Sequence, residues 1–213
     1  MRRTQVSVES QMSRRSRSEM IEETRSRLIA AARKAFGEKG YADASMDDFT
    51  AEAGLTRGAL YHHFGDKRGL FEAVVREIDA EMAERLKGIA ASAASPWEGF
   101  VQENVGYVEL ALDPEIQRIL LRDGPAVLGD PSRWPGADGC IAAIRANLEA
   151  LQADGVVRRD IDTDAAARLI SGASTVAALW IANADDPAEA SCKAIPAFKA
   201  LLEGLLSGSG ARA

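Results

Sequence analysis

The stretch SMDDFTAEAGLTRGALYHHFGDK, residues 45–67, encodes two short capped helices and the tight turn between them. Ser45 supplies a side-chain acceptor for a helix start, and Asp48 three residues later completes a variant of the capping box. Phe49 and Ala53 give that helix an apolar side, and Gly54 supplies the left-handed conformation that ends it. Thr56 caps the second helix, which carries Leu60 and Phe64 and is broken by Gly65. Phe49, Ala53, Leu55, Leu60 and Phe64 would fasten the pair to a helix behind it. Such a pair is a helix-turn-helix, whose second helix can lie in a DNA major groove.

The second helix has side chains suited to a groove. Thr56 and Arg57 stand at its N-terminus, where backbone N–H groups favour phosphate. Gly58 and Ala59 are small and permit close approach. Tyr61, His62 and His63 can all donate hydrogen bonds, and Lys67 lies just beyond, placed for a backbone phosphate. Other readings of these residues are weaker. Tyr61 as a buried aromatic is the bland alternative. His62 and His63 point about 100° apart on a helix, which suits two separate contacts better than one metal ion. Asp47 and Asp48 diverge in the same way and do not form a catalytic dyad. Ser45 reads as a cap, not a nucleophile.

Outward from this stretch the pattern stays helical. Ile21, Leu28, Ala31, Ala32, Ala35 and Phe36 recur at helical spacing over 20–39, and Gly40 stops the helix. Residues 1–18 are rich in Ser and Arg and lack periodicity, so a disordered basic arm is expected there. It is either a plain terminus or a segment that touches DNA phosphates or the minor groove. Asp66 caps a longer helix through Leu70, Phe71, Val74, Val75 and Ile78 to about Gly88. Pro96 opens a helix reaching Leu112, and Asp113-Pro114 begins a short one. Residues 123–137 hold Gly and Pro and read as the longest loop. Helices follow near 138–153, 163–183 and 187–206, with Pro196 placed to kink the last or to move its start. VVRRDID at 156–162 is the one short candidate for extended chain. The fold class is all-α: a three-helix helix-turn-helix domain over 19–66, then a larger helical ligand-binding and dimerisation domain over 67–213.

Composition agrees. The chain has 213 residues, 46% of them hydrophobic, and a net charge of −6. That charge is unevenly spread. Residues 1–74 hold 13 Lys/Arg and 11 Asp/Glu, net +2, and residues 75–213 hold 13 and 21, net −8. A DNA-reading head on an acidic body has this asymmetry. No signal-peptide h-region follows the N-terminal arginines, and no apolar run reaches the ~20 residues of a membrane span. A cytoplasmic protein with no membrane partner is expected. Cys140 and Cys192 read as buried, reduced small hydrophobes. Neither they nor the histidines have metal-ligand spacing, no nucleophile elbow or phosphate-cradling loop is present, and neither an enzyme nor a cofactor is expected.

Residues 24–74 resemble the DNA-binding region of the tetracycline-repressor (TetR) family. The resemblance rests on AAxxxFxxxGY at 31–41 and TAEAGLTRGALYHHFGDKRGLFEAV at 50–74. It implies that Thr56, Arg57, Gly58, Tyr61, His62 and His63 face DNA, with Lys67 on phosphate. It covers about a quarter of the chain closely, and the remainder only in its helical layout.

The body suits two further tasks. Leu169, Ile170, Ala173, Val176, Ala177, Leu179, Trp180 and Ile181 leave the helix near 163–183 apolar almost all round, so it must be covered on more than one side. With Ile195, Phe198, Leu201, Leu202 and Leu205 of the last helix, a homodimer through a four-helix interface is expected, as in the family. The interface residues are Leu169, Ala173, Val176, Ala177, Ile195, Phe198, Leu202 and Leu205. Trp97, Phe100, Tyr107, Ile116, Leu120, Ile141, Ile144, Leu148 and Trp180, with Arg145, are the candidate wall of an effector pocket, or else simply core. Arg118, Arg122 and Arg145 would meet an anionic ligand group. The function expected is a repressor of transcription, released from double-stranded operator DNA by a small, largely apolar effector. The alternative is a DNA-binding protein of the same fold that takes no small ligand and answers to a protein partner or serves a structural task.

Overall fold

The computed structural model describes residues 16–134 and 136–207. Among them the chain is a stack of helices, with one isolated antiparallel bridge, Val157 to Leu206, joining the turn after α8 to the end of the last helix. The helices are α1 Arg17–Asp43, α2 Met46–Ala53, α3 Arg57–Phe64, α4 Lys67–Ala91, α5 Pro96–Glu109, α6 Pro114–Ile116, α7 Gly124–Leu128, α8 Ala137–Ala153, α9 Thr163–Asn183 and α10 Pro187–Glu203. A π-helical turn, Gln117–Asp123, joins α6 to α7.

The first three helices close on an aromatic core. Phe36 meets Phe49 at 5.0 Å and Phe71 at 5.1 Å between ring centroids, and Tyr41 meets Phe71 at 5.0 Å. Leu28, Phe36, Phe49, Leu60 and Phe71 are fully buried. Burial of each such side chain is worth about 1.5–3 kcal/mol, which explains how helices as short as α2 and α3 hold together. Gly40 breaks α1 as its position implies, with φ +79 and ψ 169, but the chain resumes a helical course to Asp43.

Several expectations need correction. Residues 1–15 of the expected arm lie outside the described part, and its end, 16–18, is ordered. Ser16 caps α1 in a capping box with Glu19, so the helix starts earlier than its apolar periodicity does. The supposed loop 123–137 is helical to Leu128, because Pro125 near the start of α7 fits a first helical turn. Pro196 lies inside α10 without ending it. Cys140 and Cys192 are exposed, since α8 buries only Leu148 and Leu151 and Cys192 sits on the outer side of α10. Finally, α9 is long and apolar enough to cross a membrane by length and composition. Here one side of it, including Ala167, Ile170, Ala178 and Ile181, is buried against the neighbouring helices.

Candidate functional site

The helix-turn-helix is built by its caps. Ser45 accepts from Asp48 N at 3.1 Å while the Asp48 carboxylate accepts from Ser45 N at 2.9 Å. Thr56 Oγ1 accepts from Ala59 N at 3.2 Å and starts α3. Gly54, between them, is left-handed at φ +61. The turn is also held from behind, where the Arg27 guanidinium donates to the Ala53 carbonyl.

This arrangement leaves one side of α3 open. Thr56, Arg57, Gly58, Tyr61 and His62 are exposed, His63 is half-buried, and Leu60 faces the core. Tyr61 is 54% exposed, which rules out the buried-aromatic reading. Besides the caps Ser45 and Thr56, Arg57 and Lys67 also have intramolecular partners. Arg57 forks onto Asp47 of α2, with Nε 2.6 Å from Oδ1 and a second, shorter contact from Nη2. That pair raises the Arg57 pKa and lowers that of Asp47, chiefly through the shared hydrogen bonds. Lys67 Nζ lies 4.5 Å above the Tyr41 ring and donates to the Ala42 carbonyl at 3.2 Å. Asp47 and Tyr41 were not among the sequence candidates. Asp47, ten residues before Arg57, carries a signal only once the turn geometry brings α2 beside α3.

The body divides the expected pocket residues. Phe100, Ile116, Leu120 and Leu148 are buried core. Trp97, Tyr107, Ile141 and Ile144 are half-buried and pack against that core, with Trp97 and Phe100 5.7 Å apart between rings. Trp180 does not join them. It is half-exposed, because positions 169, 173, 176, 177 and 180 fall on one outward stripe of α9. Arg145 also points outward, near Asp164 (3.5 Å) and Glu149 (3.8 Å). Arg122 donates to the Ala182 carbonyl and Arg118 to that of Lys39.

The body also holds two half-buried acids that were not among the sequence candidates. Burial pushes Asp79 of α4 up to about 6, and burial raises Glu103 of α5 as well. The Tyr107 phenol is raised by burial and by the nearby Asp79. Clefts among the described residues include two away from this region. One of about 380 Å³ lies between α1 and α2, and one of about 290 Å³ lies between α4 and α5 beside Arg85, Gly106 and Asp113. Neither is lined by any expected pocket residue.

The expected dimer residues divide too. Leu169 is 74% and Val176 67% exposed, and Ala173, Ala177, Ile195 and Leu205 are half-buried. Phe198 and Leu202 turn inward and fill the chain's own core, while Leu201 takes the outward position at 67% exposed. At about 100° per residue Leu201 stands roughly 60° from Phe198 and 100° from Leu202, and only the fold shows which of them faces inward.

Comparison with known proteins bears on the whole chain. Residues 28–74 match the model of the bacterial regulatory proteins of the tetR family, and residues 97–205 match a tetracyclin repressor-like C-terminal domain. The crystal structure of a TetR-family transcriptional regulator from Pectobacterium atrosepticum is 50% identical. It covers 91% of this chain and 99% of its own, with a TM-score of 0.83. The HTH-type transcriptional repressor AcnR of Corynebacterium efficiens is 34% identical over 100 residues, 47% of this chain and 52% of that one. The HTH-type transcriptional repressor KstR2 of Mycolicibacterium smegmatis is 27% identical over 160 residues, 73% and 78% of the two chains. The chain spans between a third and about half the length of the Corynebacterium relatives it matches. Two family models in the expected order, and a 50% identical regulator aligned over nearly its full length, place the chain in the TetR family of transcriptional regulators.

Proposed function

We propose that this protein is a homodimeric, operator-binding repressor of transcription. The observation that carries the proposal is the exposed side of α3. Its core is complete without Arg57, Tyr61 and His62, and Thr56, whose hydroxyl caps the helix, is exposed beside them, so this side offers hydrogen-bonding side chains to base edges and phosphates. In this reading Ser45, Gly58 and His63 border the contact and Lys67 reaches phosphate. Arg57 must exchange Asp47 for DNA, or stay paired and stiffen the turn. Pairing two copies along the α9 stripe would cover Leu169, Val176 and Trp180 and present two α3 helices to successive major grooves, about 34–36 Å apart. AcnR and KstR2, both named as repressors, support the direction of control.

The effector reading is a small molecule held in the body near Trp97, Tyr107 and Ile144. It is supported by half-buried aromatic residues beside polar groups, Asp79 and Glu103. These acids favour a ligand with a donor or positive group over the anionic one first expected. The second reading is control without a small ligand, by a protein partner or in a structural task. Selection of bound duplexes from a random pool, followed by a screen for compounds that release the selected site, tests both. Failure to enrich any sequence at low salt would end the repressor reading. A selected operator with no releasing compound would favour the second.

A further inference from the structure

The π-helical turn Gln117–Asp123 grips the elbow at the end of α1. Asp123 Oδ2 accepts from Tyr41 N at 2.7 Å, and Arg118 Nη2 donates to the Lys39 carbonyl at 2.9 Å. The residue between, Gly40, lies so close beneath the Arg118 guanidinium that a Cβ there would sit 2.1 Å from Nη2. The grip depends on the π-helical register. Five residues at about 100° each would put Arg118 and Asp123 some 140° apart on an α-helix, whereas the wider π turn, about 4.4 residues around, brings them within roughly 50°. Both then reach the same elbow, with Arg118 Nε and Asp123 Oδ2 3.6 Å apart.

The grip has a fixed end and a reading end. Beside Asp123, Arg122 donates twice to the Ala182 carbonyl near the end of α9, at 2.9 and 2.6 Å. On the other side, the elbow's Tyr41 ring and Ala42 carbonyl hold Lys67 directly after α3. A short chain of contacts thus runs from the apolar stripe helix to the helix-turn-helix.

We propose that Arg118 and Asp123 are positioning residues for DNA reading, which hold α1–α3 in a fixed direction relative to α9 and so set the spacing of operator half-sites that the dimer accepts. This rests on the repressor reading above. One base pair of extra spacing moves a half-site by about 3.4 Å and turns it by about a tenth of a helical turn. Only a head held rigidly on its body discriminates against such a change, and a loosely held one adapts.

The test uses the full chain and the operator selected by the wild type, together with two versions whose half-sites are one base pair closer or farther. The wild type is expected to prefer its own spacing by about tenfold, and Arg118→Ala/Asp123→Ala to bind the three within about threefold while remaining dimeric. Arg118→Lys, which keeps a donor for the Lys39 carbonyl, should restore part of the preference. Mere loss of stability would lower all three affinities together and leave their ratio unchanged. Should the double variant fail to fold, Arg118→Gln and Asp123→Asn are measured singly, each expected to flatten the preference in part. A full wild-type preference in the folded variants would overturn the assignment of these two residues while leaving the repressor reading intact. A wild type that selects no operator would overturn both.

Discussion

The helix-turn-helix and the α9–α10 face leave opposite kinds of residue in water. Around α3 the apolar side chains are finished: Leu60, Phe49 and Phe36 are fully buried, and the residues left outside are Thr56, Arg57, Tyr61 and His62. On α9 and α10 the residues left outside include Leu169, Val176, Trp180 and Leu201. Large apolar side chains aligned on one face form a patch that usually marks an interaction site. The first region is closed and offers hydrogen bonds, as a groove reader must. The second has buried one side and still needs a cover. In the proposed function, reading and assembly therefore draw on different physics within the same chain, and variants can break them separately.

The largest effect expected is at the open face. Val176→Glu would place an unpaired charge in the proposed seam. A cost of about 4 kcal/mol for burying it would raise the dimer dissociation constant roughly a thousandfold. Sedimentation velocity should show a folded monomer, and a dimer at unchanged concentration would exclude this stripe as the interface. The corresponding break at the closed region is Phe49→Ala. Loss of its contacts with Phe36 should cost about 3–5 kcal/mol and abolish operator binding while the body stays dimeric. Loss of the dimer as well would show that the two regions fold as one unit.

The contrast extends to charge. Arg57 and Asp47 are paired at the surface of the closed region, whereas Asp79 is drawn into the body with its pKa raised to about 6. An acid whose folded pKa lies above its unfolded value near 3.9 holds its proton longer in the folded state. Folding stability should therefore fall as pH rises from about 4 to 6 and then level off. About two units correspond to roughly 2–3 kcal/mol as an upper figure. Asp79→Asn should remove that fall and leave the protein more stable at pH 7, as read from urea unfolding at several pH values. An unchanged pH profile would mean that Asp79 is solvated or paired. The Asp47–Arg57 fork has the opposite sign. Its contribution is present above pH 3.9 and fades as pH falls through the lowered folded value of Asp47.

The smallest expected effect sharpens what Lys67 does. If it serves phosphate, Lys67→Ala should reduce the slope of log affinity against log salt by about 0.9. If it serves only the elbow through Tyr41 and Ala42, affinity falls and the slope stays. Operator titrations across a range of salt concentrations separate the two.

Much of the closed region was legible in the sequence because its signals are local. A cap, a left-handed glycine and a 3.6-residue period act within a few residues, and Ser45, Gly54, Thr56 and Gly65 mark the boundaries of α2 and α3 with no help from the rest of the fold. The same local rules gave the all-α class and placed α9 and α10. They did not decide which way each apolar residue of those helices turns. Trp180 was expected inside and faces out, while Phe198 and Leu202 were expected at the interface and face in. Composition cannot separate two apolar sides of one helix, since only the neighbouring helices define inward. Nor did local rules reveal that Arg118 and Asp123 act as a pair across 79 and 82 residues, on Lys39 and Tyr41. That depends on a π-helical register and on the close approach of two distant segments. Sequence by itself determined the all-α class, the long helices in outline and the caps of α2 and α3, because those are set by short-range sterics and hydrogen bonds. Tertiary structure alone decided the free apolar face, the half-buried acids and the grip on the α1 elbow, because each depends on which distant residues the packing brings into contact.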